Sequence, residues 1–261
     1  MAGSNSRTPA TASASNGNAV TSQQKQLEPR DVFYFVPNLI GYSRIVLAAL
    51  ALYYMEDAPW PCFFLYAASC LLDAVDGHAA RYFDQCTTFG AVLDMVTDRC
   101  TTTCLLCFLA STYPPWALLF QFLISLDISS HYMHMYASLT TGAKSHKQTN
   151  ETQNFLLRAY YSNNLVLFAV CFFNESFFVL LYLLHFVEDG PYLHYVLYPL
   201  LAITGVVSFG KQVINVIQFV GASKALAEQD VAARNTAAAI TTNSEAPATR
   251  TTPTTKSRKM N

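Results

Sequence analysis

Charge is scarce in this sequence. Only 13% of its 261 residues are Asp, Glu, Lys or Arg, against roughly 25% in an ordinary soluble domain. Many of those charges lie near the two ends, so the middle is poorer still. The formal net charge is −1. That excludes the basic surplus of a nucleic-acid-binding domain, and no nucleic-acid partner is expected. A metal or disulfide framework of cysteines is also lacking. Cys104 and Cys107 make one C-x-x-C, without a second pair or a histidine cluster beside it. The seven thiols fall mostly inside apolar runs and are expected to be small buried hydrophobes. Residues 1–26 are rich in Ser, Thr, Ala, Asn and Gln and lack an apolar core, so no secretory signal peptide is expected there.

Apolar residues are abundant, at 52%. A membrane span needs roughly 20 mostly apolar residues. Six stretches meet that need: 37–55, 60–82, 88–112, 115–138, 161–186 and 193–220. The expected fold is an all-α membrane protein with six transmembrane helices in a bundle over 31–220. Disordered polar tails are expected at 1–30 and 221–261. Pro59, Pro61, Pro114, Pro115, Gly142, Gly190 and Pro191 punctuate the links. Links one, three and five carry Glu56, Asp57, Glu188 and Asp189 and no Lys or Arg, whereas Lys25, Arg30, Arg81, Lys144 and Lys147 collect on the other side. The positive-inside rule then places both termini in the cytosol, which an even number of spans requires.

Four acids interrupt this apolar pattern. Asp73 and Asp76 stand three residues apart near the end of the second span, and Asp94 and Asp98 four apart on the third. Each pair shares a helix face, and the short link makes the two helices antiparallel neighbours. All four carboxylates are therefore expected to converge just inside the cytosolic surface. Each Asp at a helix centre costs about 2.5–3.5 kcal/mol on insertion scales, and mutual repulsion adds to that. Something cationic must compensate. Arg81 and Arg99 are candidates, but hard oxygen ligands in this number suit Mg²⁺ or Mn²⁺ better. Two other readings stand beside this one: Asp–Arg pairs that merely tie helices together, and a cation path through the membrane.

Asp73, Asp76, Gly77, Ala80, Arg81, Gly90, Asp94 and Asp98 reproduce the pattern D-x2-D-G-x2-A-R-x8-G-x3-D-x3-D. By this signature the chain resembles the CDP-alcohol phosphatidyltransferase family. Pro37 to Tyr42 with Arg44, the stretch His131–Lys147, and Asn154–Tyr161 look like the eukaryotic branch that uses inositol. The resemblance implies that Asp73, Asp76, Asp94 and Asp98 bind divalent metal, with two ions expected, and that Asp98 is the proton acceptor. It implies that Asn38, Gly77, Ala80, Arg81, Thr87 and Gly90 bind the CDP-lipid. CDP-diacylglycerol and myo-inositol are the implied substrates, in a homodimer of the endoplasmic reticulum or Golgi membrane with its site facing the cytosol. A neutral polyol needs hydrogen-bonding partners, and Ser145, Lys147, Asn154 and Arg158 are the candidates. Asp127 is expected to bond a neighbouring helix, and His131 and His134 to pack between helices and bond the backbone.

Overall fold

A computed structural model describes residues 27–141, 163–188 and 190–244. Among them the chain is helical and holds no strand. A one-turn helix α1 (Pro29–Phe33) precedes α2 (Val36–Tyr53), α3 (Pro59–Tyr82), α4 (Thr88–Thr112), α5 (Ala117–Thr141), α6 (Asn164–Leu184) and α7 (Tyr198–Ser244). Proline occupies the first turn of α2 and α3, where its missing N–H leaves no orphan donor. Thr87 caps α4, its Oγ1 accepting from the backbone N–H of Gly90 at 3.0 Å. Between α3 and α4 the backbone turns through Asp84, whose φ of 52° is a left-handed conformation that Asp tolerates better than most residues.

Part of the bundle interior is polar, and much of its exterior is apolar. Asn38, Arg44, Ser69, Asp76, Thr97, Thr101, Thr102, Ser130, Thr204, Ser208, Lys211, Asn215 and Gln218 are buried. Meanwhile Val206, Phe209, Phe64, Leu118 and Leu165 face outward. A surface this apolar needs lipid around it. Three helical stretches are long and apolar enough to cross a membrane by length and composition: Val36–Tyr53, Leu165–Leu184 and Leu193–Ala238. Only 11% of the most apolar window of α6 is buried, so most of that stretch is at least partly exposed on the outside of the bundle. At 24, 25 and 25 residues, α3, α4 and α5 are equally long, about 36 Å or more. Their mean hydropathy is lowered by the polar and charged side chains that line the interior.

The end of the bundle away from the aspartates is an ordinary hydrophobic core. Ala51, Met55, Cys62, Tyr66, Leu105, Leu106, Leu109, Phe120, Phe178 and Tyr182 pack there, and the Tyr182 hydroxyl donates to the Met55 carbonyl at 2.9 Å. These apolar side chains fill the interior beyond the polar region.

Two expectations are corrected. The polar tail from 221 is helical as far as Ser244, because α7 continues without a break. The segment is rich in alanine, which lowers hydrophobicity but is also the strongest helix former. The cysteines are not mostly buried. Cys62 alone is, whereas Cys86, Cys100, Cys104, Cys107 and Cys171 are exposed. In a bundle with an apolar exterior, a small apolar side chain belongs outside as readily as inside. All seven thiols are free.

Candidate active site

The geometry of the site begins with two close helix approaches. Gly41 on α2 lies so near α4 that a Cβ there would come within 3.2 Å of Leu93. Ser69 on α3 donates its hydroxyl to the carbonyl of Arg44 on α2 at 3.1 Å. Both contacts hold α2 against the α3–α4 hairpin, and the side chain of Arg44 then enters the space between the acids.

Arg44 is only 2% exposed, and its guanidinium touches all four aspartates. Nη1 donates to Asp76 Oδ2 and Asp94 Oδ1, both at 2.6 Å. Nη2 lies 2.7 Å from Asp73 Oδ1 and also donates to Asp98 Oδ1. The buried Nε has no partner, so the acids alone orient the group. From sequence, Arg81 and Arg99 are candidate compensating cations and divalent metal the better one, whereas Arg44 appears only within a flanking resemblance. Arg81 is exposed and makes no ion pair among the described residues. Of the four acids, Arg99 reaches only Asp98, at 3.3 Å.

Carboxylate oxygens of Asp73, Asp76 and Asp94 lie within 4.8 Å of one another and could hold a metal ion. All-oxygen donors of this kind fit a hard divalent cation. Asp98 stands outside that trio, one turn deeper on α4, between Arg44 and Arg99.

Beside the trio lies a cleft lined by Asn38, Gly77, Ala80, Arg81, Thr87 and Gly90, with Asp76 and Asp94 on its border. All six residues that the resemblance assigns to the CDP-lipid therefore meet at one place. Glycine is required here by space. A Cβ on Gly90 would sit 2.9 Å from Asn38 Oδ1 and 3.1 Å from Thr87 Oγ1. Asn38 is itself fixed, donating from Nδ2 to the Val32 carbonyl at 2.6 Å. The proposed acceptor residues Ser145, Lys147, Asn154 and Arg158 lie outside the described residues.

A second polar cluster lies deeper. Arg99 donates through Nη1 to both oxygens of Asp127 on α5, at 3.0 and 2.9 Å. Asp127 also accepts from Asn215 Nδ2 on α7 at 3.5 Å. His131 Nδ1 lies 2.8 Å from the Asp127 carbonyl, so it bonds the backbone as expected. Glu175 on α6 accepts from the Tyr66 hydroxyl and from Thr102. Sequence reasoning missed Glu175 and the inward stripe of α7. The helical spacing of Thr204, Ser208, Lys211, Asn215 and Gln218 in an apolar run was the available signal.

Fold and site together define a helical membrane protein with a carboxylate cluster beside a ligand-sized cleft. The model of the CDP-alcohol phosphatidyltransferase family matches residues 34–207, and the chain belongs to that family. It is similar to proteins named CDP-diacylglycerol–inositol 3-phosphatidyltransferase. The one from Schizosaccharomyces pombe is 48% identical over 232 residues, covering 82% of this chain and 98% of that protein. The human one is 46% identical over 206 residues, covering 78% and 96%, and that of Saccharomyces cerevisiae is 43% identical over 213 residues, covering 80% and 93%. No solved structure matches the chain.

Proposed function

We propose that this enzyme transfers the phosphatidyl group of CDP-diacylglycerol to myo-inositol, giving phosphatidylinositol and CMP. Similarity over nearly the whole length of relatives bearing that activity in their names carries the choice of acceptor. The cleft bordered by Asp76 and Asp94 supports the chemistry.

Asp73, Asp76 and Asp94 would hold the divalent ion, Mg²⁺ or Mn²⁺, and Asp98 would help to hold a second. The ion would supply charge neutralisation at the diphosphate. The protein's own groups do the rest. Gly77 and Gly90 let the cytidine diphosphate lie against bare backbone. Arg81, at the mouth of the cleft, adds a fixed cation for phosphate oxygens. Asp98 takes the proton of an inositol hydroxyl as its oxygen bonds to the lipid-side phosphorus. The phosphorus–oxygen bond to CMP breaks, and CMP leaves with the electron pair. No covalent enzyme intermediate is needed, since in-line transfer asks mainly for positioning and charge stabilisation.

In this reading α2–α7 form six membrane spans over 31–220. Both termini and the site face the cytosol of an endoplasmic reticulum or Golgi membrane, and two copies pair. Ser145, Lys147, Asn154 and Arg158 are the proposed acceptor-binding residues. The test supplies CDP-diacylglycerol with inositol, serine or glycerol 3-phosphate and identifies the lipid product. Product with inositol supports the proposal. Product with another acceptor alone keeps the family chemistry and discards the inositol assignment.

A further inference from the structure

A single arginine holding four carboxylates is an unusual use of a guanidinium. The two terminal nitrogens carry four N–H groups, and four different aspartates from two helices meet them. Each aspartate commits one oxygen: Oδ1 of Asp73, Asp94 and Asp98, and Oδ2 of Asp76. Three of these residues are the ones whose oxygens approach closely enough for a common ion. Arg44 and a divalent cation therefore draw on the same aspartates. Arg44 is only 2% exposed, so water screens its charge little. It cannot shed that charge either, because its guanidinium stays protonated at any working pH.

Two consequences follow from elementary electrostatics. A fixed positive charge a few ångströms from a divalent ion lowers the ion's affinity. The same charge holds four mutually repelling carboxylates together whether or not an ion is present. We infer that Arg44 is an internal competitor for the divalent ion. It keeps the aspartate quartet assembled and makes metal binding weaker than four aspartates alone would allow. The inference rests on the metal reading above. It differs from a simple supporting role, in which Arg44 would orient the ligands and its loss would weaken metal binding.

The experiment titrates Mn²⁺ into the full-length protein in detergent and follows free Mn²⁺ by electron paramagnetic resonance. Wild type, Arg44→Gln and Arg44→Lys are compared, with melting temperatures taken in EDTA and in saturating Mn²⁺. Arg44→Gln is expected to bind Mn²⁺ about tenfold tighter or more, since one unit of nearby positive charge is gone. It should melt lower than wild type in EDTA and gain more from Mn²⁺. Arg44→Lys keeps the charge on a single nitrogen that cannot span four acids, and binding about threefold tighter is expected. Equal or weaker Mn²⁺ binding by monodisperse Arg44→Gln overturns the inference. Should that variant not yield monodisperse protein, Arg44→Lys decides by the same criterion. Wild type that binds no Mn²⁺ at all sinks the metal reading itself, and the competition with it.

Discussion

Arg44 and Arg99 both lie inside the bundle and both are gripped by carboxylates, yet their surroundings differ in two respects. Around Arg44 four acids share one cation. Asp73 and Asp94 remain 38% and 47% exposed, with a cleft alongside. Around Arg99 the main partner is Asp127, met bidentately, only 13% exposed and tied onward to α7. Surplus negative charge that can be reached from outside is a demand for a further cation. A matched and enclosed pair demands nothing more. Intramembrane charge alone does not separate chemistry from architecture here; charge balance and access do.

That contrast can be broken most severely at the aspartates. Asp94→Asn should lower CMP release at least about 10²-fold, because in the proposed mechanism it removes a metal ligand beside the reacting phosphorus. Its melting temperature in EDTA should hold or rise, since one of four like charges around Arg44 disappears. A variant that loses activity only because it unfolds would place Asp94 with the architectural residues instead.

At the second cluster the expected effect falls on stability. Arg99→Met leaves Asp127 buried without its partner, and breaking such a pair costs about 3–5 kcal/mol. The double variant Arg99→Met with Asp127→Leu should recover most of that loss, since an apolar pair of similar volume commonly replaces a buried ion pair without penalty. Melting curves of the single and double variants check this. Failure of the double variant to recover would give the deeper cluster a role beyond holding helices together.

Two glycines sharpen the description of the cleft. Gly90→Ala forces a shift of Asn38 or Thr87 and should cost about 1–3 kcal/mol as overpacking. A Cβ on Gly77 meets nothing nearer than the Arg81 guanidinium at 3.6 Å, an ordinary contact. Gly77→Ala should therefore melt like wild type, and a raised KM for CDP-diacylglycerol in that variant would report the ligand itself. The smallest effect is expected at the end of α7, where residues 231–238 are exposed. Ending the chain before Ala232 should leave activity within about twofold, as surface changes stay within roughly 0.5 kcal/mol.

Much of the site was legible because the motif fixes spacing, and spacing fixes helix face. Asp73 and Asp76, like Asp94 and Asp98, could only point the same way once α3 and α4 formed. The six cleft residues are read from the family resemblance, and they meet because Asn38 lies on α2, Gly77, Ala80 and Arg81 on α3, and Thr87 and Gly90 at the start of α4. Arg44 was not legible in this way. One charged residue in an apolar helix reveals nothing of what it faces until the rotation of α2 against α3 and α4 is known. Glu175 is hidden for the same reason, its partners Tyr66 and Thr102 being remote in sequence. The extension of α7 was misread because low hydrophobicity and high helix propensity coincide in alanine.

The central claim is that the aspartate quartet performs divalent-dependent transfer to inositol with Asp98 as the base. The direct measurement is CMP release from CDP-diacylglycerol by detergent-purified protein, with and without inositol, and with Mn²⁺ or EDTA, wild type beside Asp98→Asn. Release should require both inositol and the ion, and should fall by about 10²-fold or more in the variant, the scale of a lost general base. Release that persists in EDTA, or that survives undiminished in Asp98→Asn, would contradict the account.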